Sequence, residues 1–397
     1  MSRFLFVVPP LAGHVNPTVA VGAELAARGH RVAWCGHADA VARLLPPDAE
    51  LFAAGDALSL TSIAGRSDGL RGAEAFRFLW KDVIVPLGDA MIPSVERAVD
   101  RFAPDVLVAD LQAIAGALVA RRRGLRWATS ATTSSELADP FAIFPLFGEF
   151  VDAELRAFRH RAGLADLDVP RDDFRFSEEL VLAFSTPALT GGGPYPGAWR
   201  FVGPAFGARP AGTAFPWRWL DPQRRHVLIT LGTVNAQSGA RFLSACVAAA
   251  ARFERVQAIV VAPDGALDPV PAENVLVRSH VPQLALLPSI DAVVCHGGHN
   301  TVCESLAHGL PLVVAPIRDD QPIIAQQVLD AGAGVRVKYG RAGPGEIAGA
   351  IETVLDDGSY RNAAQRIAAS FRAAGGPRAA AGALETLVAD PAAAIVS

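Results

Sequence analysis

Segment 292–316 reads AVVCHGGHNTVCESLAHGLPLVVAP, and its residue types suit an anion site. Residues 292–295 form a short apolar, β-branched run that predicts a buried strand. The run leads directly into His296-Gly297-Gly298. Residues 300–308 then suit a helix, with Asn300 or Thr301 able to cap its start, Gly309 past its end and Pro311 preventing continuation. A helix N-terminus presents N–H groups that have no intrahelical partner and a partial positive charge, and glycines let an anion approach the backbone closely. A pyrophosphate fits that description. Glu304, about one turn into the helix, adds a carboxylate able to accept hydrogen bonds from a ribose diol, which favours a nucleotide over bare phosphate. The competing readings are a simple turn with His296 packed beneath it, or a metal site built from Cys295, His296, His299, Cys303 and His308. Their spacing matches no common zinc pattern, and a metal would block the helix start.

A second chemistry-bearing position is His14, which follows a predicted strand in the loop Pro9-Pro10-Leu11-Ala12-Gly13-His14-Val15-Asn16-Pro17. Asp110 closes another predicted strand, Val106-Leu107-Val108-Ala109. Ligands of open parallel sheets collect beyond the carboxyl ends of strands, so both residues are placed to meet a substrate. Together they suit a general base and its orienter, with Asp110 accepting the Nδ1 hydrogen of His14 and stabilising the imidazolium that forms. Read alone, His14 is better explained as a loop histidine that caps or packs, and Asp110 as a helix N-cap.

The glycine spacing departs from G-x-G-x-x-G and G-x-x-x-x-G-K-[ST], which argues against a dehydrogenase or a P-loop enzyme. Segment 292–316 instead resembles the donor-binding signature of family 1 glycosyltransferases, of the bacterial macrolide and natural-product type. Val281-Pro282-Gln283 lies upstream and Asp320-Gln321 follows the next predicted strand, in the order that family uses. Gly13-His14-Val15-Asn16-Pro17 and Asp110 match its Gly-His-x-x-Pro loop and its later N-domain aspartate. The resemblance implies an α/β protein of two Rossmann-like doubly wound domains facing across a cleft, the GT-B fold. It implies a base formed by His14 and Asp110, and nucleotide and diphosphate contacts from Thr233, Val281, Gln283, His296, Gly297, Gly298, Asn300, Thr301 and Glu304. Asp320 and Gln321 would read the sugar. The implied reaction is one inverting displacement, without cofactor or metal, that moves a hexose from a nucleotide sugar to a hydroxyl of a small apolar acceptor. An Asp-Gln pair favours UDP-glucose, with TDP-deoxysugars as the alternative donors.

The elements that must position these residues alternate strand and helix in two series. They predict an N-terminal acceptor domain over 1–205, a linker over 206–222 and a donor domain over 223–397, whose last helix can pack back on the first domain. Stretches 58–80 and 137–150 are rich in Phe, Leu and Ile outside strands. Phe76, Trp80, Phe141 and Phe144 there can line an apolar acceptor pocket or simply cover the core.

With 397 residues, two substantial cores are expected. A net charge of −4 offers nucleic acid no electrostatic partner, and four cysteines without a disulfide spacing fit a reducing cytoplasm. The apolar run Phe4-Leu5-Phe6-Val7-Val8 is too short for a signal core or a membrane span and reads as a strand. The sequence thus predicts no stable membrane insertion, and a homodimer is compatible with it. The sole D-x-D, Asp166-Leu167-Asp168, follows no convincing strand and reads as surface rather than as a metal clamp. Other classes weighed are a sugar-nucleotide epimerase or hydrolase of the same fold, a glycolipid or carotenoid transferase docked on a membrane, and a catalytically silent binding protein. An epimerase or hydrolase wants extra acids around the sugar. Membrane docking needs an apolar and basic patch, for which Arg121-Arg122-Arg123 is the candidate.

Overall fold

A computed structural model describes the chain apart from residues 56–64, 67–68, 71, 138–144, 166–172, 194, 196–197, 208–213, 233–238, 268–271 and 390–397. The chain divides into two compact units. One comprises Met1–Pro187, Gly192–Ala208 and Ala374–Ser397, the other Ala188–Gly191 and Arg209–Ala373.

In the first unit seven strands are described: β1 (Arg3–Val7), β2 (Arg31–Gly36), β3 (Glu50–Ala53), β4 (Val106–Asp110), β5 (Trp127–Ala131), β6 (Val181–Ala183) and β7 (Trp199–Phe201). They form one parallel sheet in the order β3-β2-β1-β4-β5-β6-β7. The central strands are buried along most of their length, because helices cover both faces of the sheet, and this is why their sequences run apolar instead of alternating. One face packs on the helix Val85–Phe102, through Leu87, Met91, Val95 and Phe102. The other packs on the helix Ala12–Ala27 and on the last described helix, Gly376–Ala389, whose Ala380, Ala381, Leu384 and Leu387 are buried there. Polar contacts hold that last helix in place. Glu385 accepts from Arg28 at 2.7 Å and pairs with His30 at 2.9 Å, while Arg126 donates to the carbonyls of Leu387 and Val388.

The second unit repeats the plan with β8 (Arg225–Thr230), β9 (Val256–Val261), β10 (Val275–Arg278), β11 (Ala292–Cys295), β12 (Leu312–Val314) and β13 (Gly334–Arg336). All are parallel, in the order β10-β9-β8-β11-β12-β13. In both sheets the chain order reverses between two neighbouring strands, β1 and β4 in the first, β8 and β11 in the second. Such reversal points open a crevice at the carboxyl ends of the strands.

Candidate active site

His14 and Asp110 lie at the first unit's reversal point, and His296 follows β11 at the second unit's. In the first unit, His14 follows β1 and Asp110 ends β4, its immediate neighbour. The expected loop around His14 is instead the first turn of a helix, Ala12–Ala27, entered by His14 and Val15 amides bonding to the Leu11 carbonyl. Pro17 lies inside that helix. Pro17 has no N–H for an i→i−4 bond to the Gly13 carbonyl, yet the helix continues through it, so the residue that reads as a loop marker does not end the helix. Starting the helix earlier fixes the direction of the His14 side chain more firmly than a loop would.

Asp110 is fully buried at its side chain, and His14 is 12% exposed. His14 Nδ1 lies 2.9 Å from Asp110 Oδ1, which also accepts the Gln112 amide at 2.9 Å. Thr132, just past the end of β5, completes the cluster: its hydroxyl donates to Asp110 Oδ2 at 2.8 Å and lies 2.7 Å from His14 Nδ1. Since the carboxylate and the spent hydroxyl can only accept at Nδ1, the ring carries its proton there, and Nε2 is the basic nitrogen. Asp110 is not the cap of the helix that follows, Ile114–Arg122, whose N-cap position is Ala113. Thr132 was not singled out by sequence reasoning. Its position at the carboxyl end of β5 is the same signal that marks Asp110 at the end of β4.

The turn after Thr132 is pinned from below. Thr133 accepts the Ser135 amide, and Glu136 receives Arg175 Nη1 at 2.6 Å. Arg175 is 3% exposed, is paired also with Asp173, and lies 4.9 Å from the centroid of the Trp80 ring. Desolvation pushes the Glu136 carboxyl above its usual range, against the attraction of Arg175. Trp80 is itself 3% exposed and belongs to the core. An apolar surface is therefore offered on this helical stretch by Phe76, half-buried and stacked on Phe147 at 4.8 Å, rather than by Trp80. Phe141 and Phe144 lie outside the described residues.

In the second unit β11 ends at Cys295, and the helix His299–Ala307 follows after three residues. Gly297 has φ +84°, a left-handed conformation that a side chain would strain. Neither Asn300 nor Thr301 caps this helix. Gly298 holds the N-cap position, and no side chain caps the start. A glycine there keeps the first-turn amides approachable by an anion, whereas a capping side chain would cover them. The His296 ring is held between two glycines: a Cβ on Gly298 would fall 2.4 Å from its Nε2, and one on Gly232 2.7 Å from its Cε1. Burial lowers the imidazole pKa to about 4, opposed by the charge of Asp320. The ring is thus neutral near neutrality, with one N–H to donate. Its Nδ1 is buried without a hydrogen-bond partner among the described residues.

Glu304, 2% exposed, accepts from Gln283 Nε2 at 2.6 Å, so two of the predicted nucleotide residues meet. Val281 is half-buried beside the same core, and its carbonyl accepts the Gln283 amide. Asp320 occupies the N-cap position of the helix Gln321–Asp330 but makes no cap hydrogen bond. Gln321 is buried, and its Oε1 accepts the amides of Ile317 and Arg318, which leaves Nε2 as its outward-acting group. Thr233 lies outside the described residues, in sequence shortly after Thr230, the last residue of β8.

Among the described residues no three His, Cys, Asp or Glu side chains are grouped to hold a metal, and Asp166 and Asp168 lie outside them. The basic run 121–123 is engaged within its own unit. Arg121 donates to the Phe174 and Phe176 carbonyls and pairs with Glu178, Arg122 pairs with Glu96 and Arg123 with Asp100. No described helix is long and apolar enough to cross a membrane.

The likeness to known proteins spans nearly the whole chain. Residues 247–387 match the family described as erythromycin biosynthesis protein CIII-like, C-terminal domain. The chain is 32% identical to 4'-demethylrebeccamycin synthase of Lentzea aerocolonigenes, over 94% of its own length and 96% of that relative. It is 30% identical to demethyllactenocin mycarosyltransferase of Streptomyces fradiae, over 98% and 87% of the two chains. The fold is that of the calicheamicin glycosyltransferase CalG4, with a TM-score of 0.79 at 24% identity, over 98% of this chain and 99% of that one. A spinosyn rhamnosyltransferase complexed with thymidine diphosphate is similar at a TM-score of 0.73 and 25% identity, over 96% and 100%.

Proposed function

Since the chain belongs to the GT-B-fold family 1 glycosyltransferases of the natural-product, antibiotic-biosynthesis type, we propose that it moves a hexose from a nucleoside diphosphate sugar to a hydroxyl of a small apolar acceptor. The observation that carries this reading is the buried contact of His14 Nδ1 with Asp110 Oδ1 at 2.9 Å, which presents Nε2 as a base. In the proposed step the acceptor oxygen bonds to the anomeric carbon as its proton passes to His14 Nε2. The bond from that carbon to the diphosphate oxygen breaks on the opposite face, so one displacement inverts configuration. Charge grows on the leaving diphosphate, where donors that act more strongly in the transition state than in the ground state lower the barrier. The first-turn amides after Gly298, the neutral imidazole of His296, and Asn300 and Thr301 are assigned that task. Thr233 is assigned a further hydroxyl. This set would stand in for a metal, so no cofactor is invoked. Glu304, steadied by Gln283, is assigned the ribose, with Val281 beside the base.

UDP-glucose is the favoured donor, because Asp320 and the Gln321 amide find more partners on the hydroxyls of a hexose than on a deoxysugar. A buried polar group left without a partner costs about 1–3 kcal/mol. A TDP-deoxysugar is the second reading. It is supported by the thymidine diphosphate complex of the similar rhamnosyltransferase and by the loss of the Gln321 carbonyl to its own loop. The acceptor is assigned to the apolar surface around Phe76 and Phe147.

The test is transfer from UDP-glucose and TDP-sugars by wild type, His14→Ala and Asp320→Ala. His14→Ala is expected to lower transfer to an alcohol by about 10²- to 10⁴-fold, the usual worth of a general base, while uridine diphosphate still binds. Retained transfer to an alcohol would refute the base. Unchanged discrimination among hexose donors in Asp320→Ala would remove the sugar-reading role.

A further inference from the structure

Resting on the reading of His14 as the base, we infer that Thr132 is a positioning residue for that base, acting through both His14 and Asp110. The β4–β5 register pairs Asp110 with Ser130, and Thr132 follows two residues on, so its side chain leaves the sheet on the same side as Ser130 and reaches Asp110. It is 2% exposed. Its hydroxyl hydrogen is committed to Asp110 Oδ2 at 2.8 Å, and its oxygen stands 2.7 Å from His14 Nδ1. With the Nδ1–Asp110 Oδ1 contact of 2.9 Å, the three side chains form a closed ring in which each touches the other two. The Nδ1 hydrogen is shared between two acceptors, and the second carboxylate oxygen is satisfied. Rotation of either partner therefore breaks a hydrogen bond to the buried Asp110 or Thr132, where solvent makes up little of the loss.

Threonine suits this task because its β-branch restricts χ1, so the hydroxyl is held without further help. The turn that carries it is anchored through Glu136 and Arg175, the latter fixed by Asp173 and Trp80. The ring holds the resting tautomer and strengthens while His14 gains a proton, because the hydrogen on Nδ1 then belongs to an imidazolium and still has two oxygen atoms to hold it. Its value should scale with how much proton transfer the acceptor demands.

That scaling is the test. Thr132→Val keeps the shape and removes the hydroxyl. With UDP-glucose or TDP-glucose as donor, and 2-naphthylmethanol against 2-naphthol as acceptors, kcat for the alcohol is expected to fall about 10- to 100-fold, the effect of one buried unmet hydrogen bond. The fall for the more acidic phenol is expected to be several-fold smaller, with the KM for the donor unchanged. Thr132→Ser is expected to recover most of the loss. Equal losses for both acceptors, or no recovery by serine, would reduce Thr132 to a packing residue and overturn the inference. His14→Ala, run in parallel, separates the two readings. If it keeps alcohol transfer, the base itself is wrong. If it abolishes transfer while Thr132→Val stays within twofold of wild type, only the role of Thr132 fails. Should the valine variant not fold, Thr132→Cys carries the same comparison, since a thiol is a weak donor and acceptor of similar size.

Discussion

The buried imidazole of His296 should make the second unit acid-sensitive in a way that one substitution removes. Burial between Gly232 and Gly298 lowers its pKa from 6.5 to about 4. Above pH 6.5 the ring is neutral in both folded and unfolded chains, and its contribution to stability is fully present. Between pH 6.5 and about 4 the unfolded chain takes up a proton that the folded one refuses, so stability falls as the pH falls. Below about 4 both states are protonated and the loss levels off. At about 1.4 kcal/mol per pH unit the full loss is about 3 kcal/mol. For a unit of this size that corresponds to a fall in Tm of about 6–12 °C. His296→Asn keeps a polar, hydrogen-bonding side chain without a titrating ring. It pays a constant penalty for the lost ring volume, but that penalty does not vary with pH. Urea unfolding of both proteins at intervals from pH 7.5 to 4 should therefore give curves that converge by about 1.4 kcal/mol per pH unit below 6.5. Parallel curves would show that the ring is hydrated or protonated in the folded state, and the neutral-donor role at the diphosphate would go with it.

Three other outcomes follow from the same geometry. Glu304→Gln should raise the Kd for uridine diphosphate by about 10- to 100-fold in titration calorimetry, because a charged acceptor for the ribose is lost; an unchanged Kd would detach Glu304 from the nucleotide. Arg175→Met should lower the stability of the first unit by about 3–5 kcal/mol in thermal unfolding, since it leaves the buried Glu136 and Asp173 without their cation. Joint replacement with Glu136→Gln and Asp173→Asn should recover part of that loss, and no recovery would mean that packing against Trp80 dominates. Transfer should withstand EDTA, whereas inhibition reversed by Mg or Mn would direct attention to Asp166 and Asp168.

The sequence by itself determined which residues could do chemistry and where most of the parallel strands run. Apolar runs such as Ala292–Cys295 and Val106–Asp110 end at His296 and Asp110 because a strand covered by helices on both faces needs unbroken apolar sequence and can turn polar only where it emerges. The edge strands β3 and β13 are only partly buried and include Glu50 and Arg336, so no unbroken apolar run marks them, and the helix Val85–Phe102 contains Pro93, which reads as a break. The first turn at His14 was hidden by Pro17 for the same reason. The expected helix cap at Asn300 or Thr301 also failed, since capping depends on where the chain leaves the preceding strand. Only the tertiary structure decided that His14 and Asp110 touch across 96 residues of sequence, because that contact follows from β1 and β4 being neighbours in the sheet. It also brought in Thr132 from β5 and buried Trp80 beneath Arg175. Pairing between distant strands sets such contacts, and the spacing of residues along the chain does not encode it.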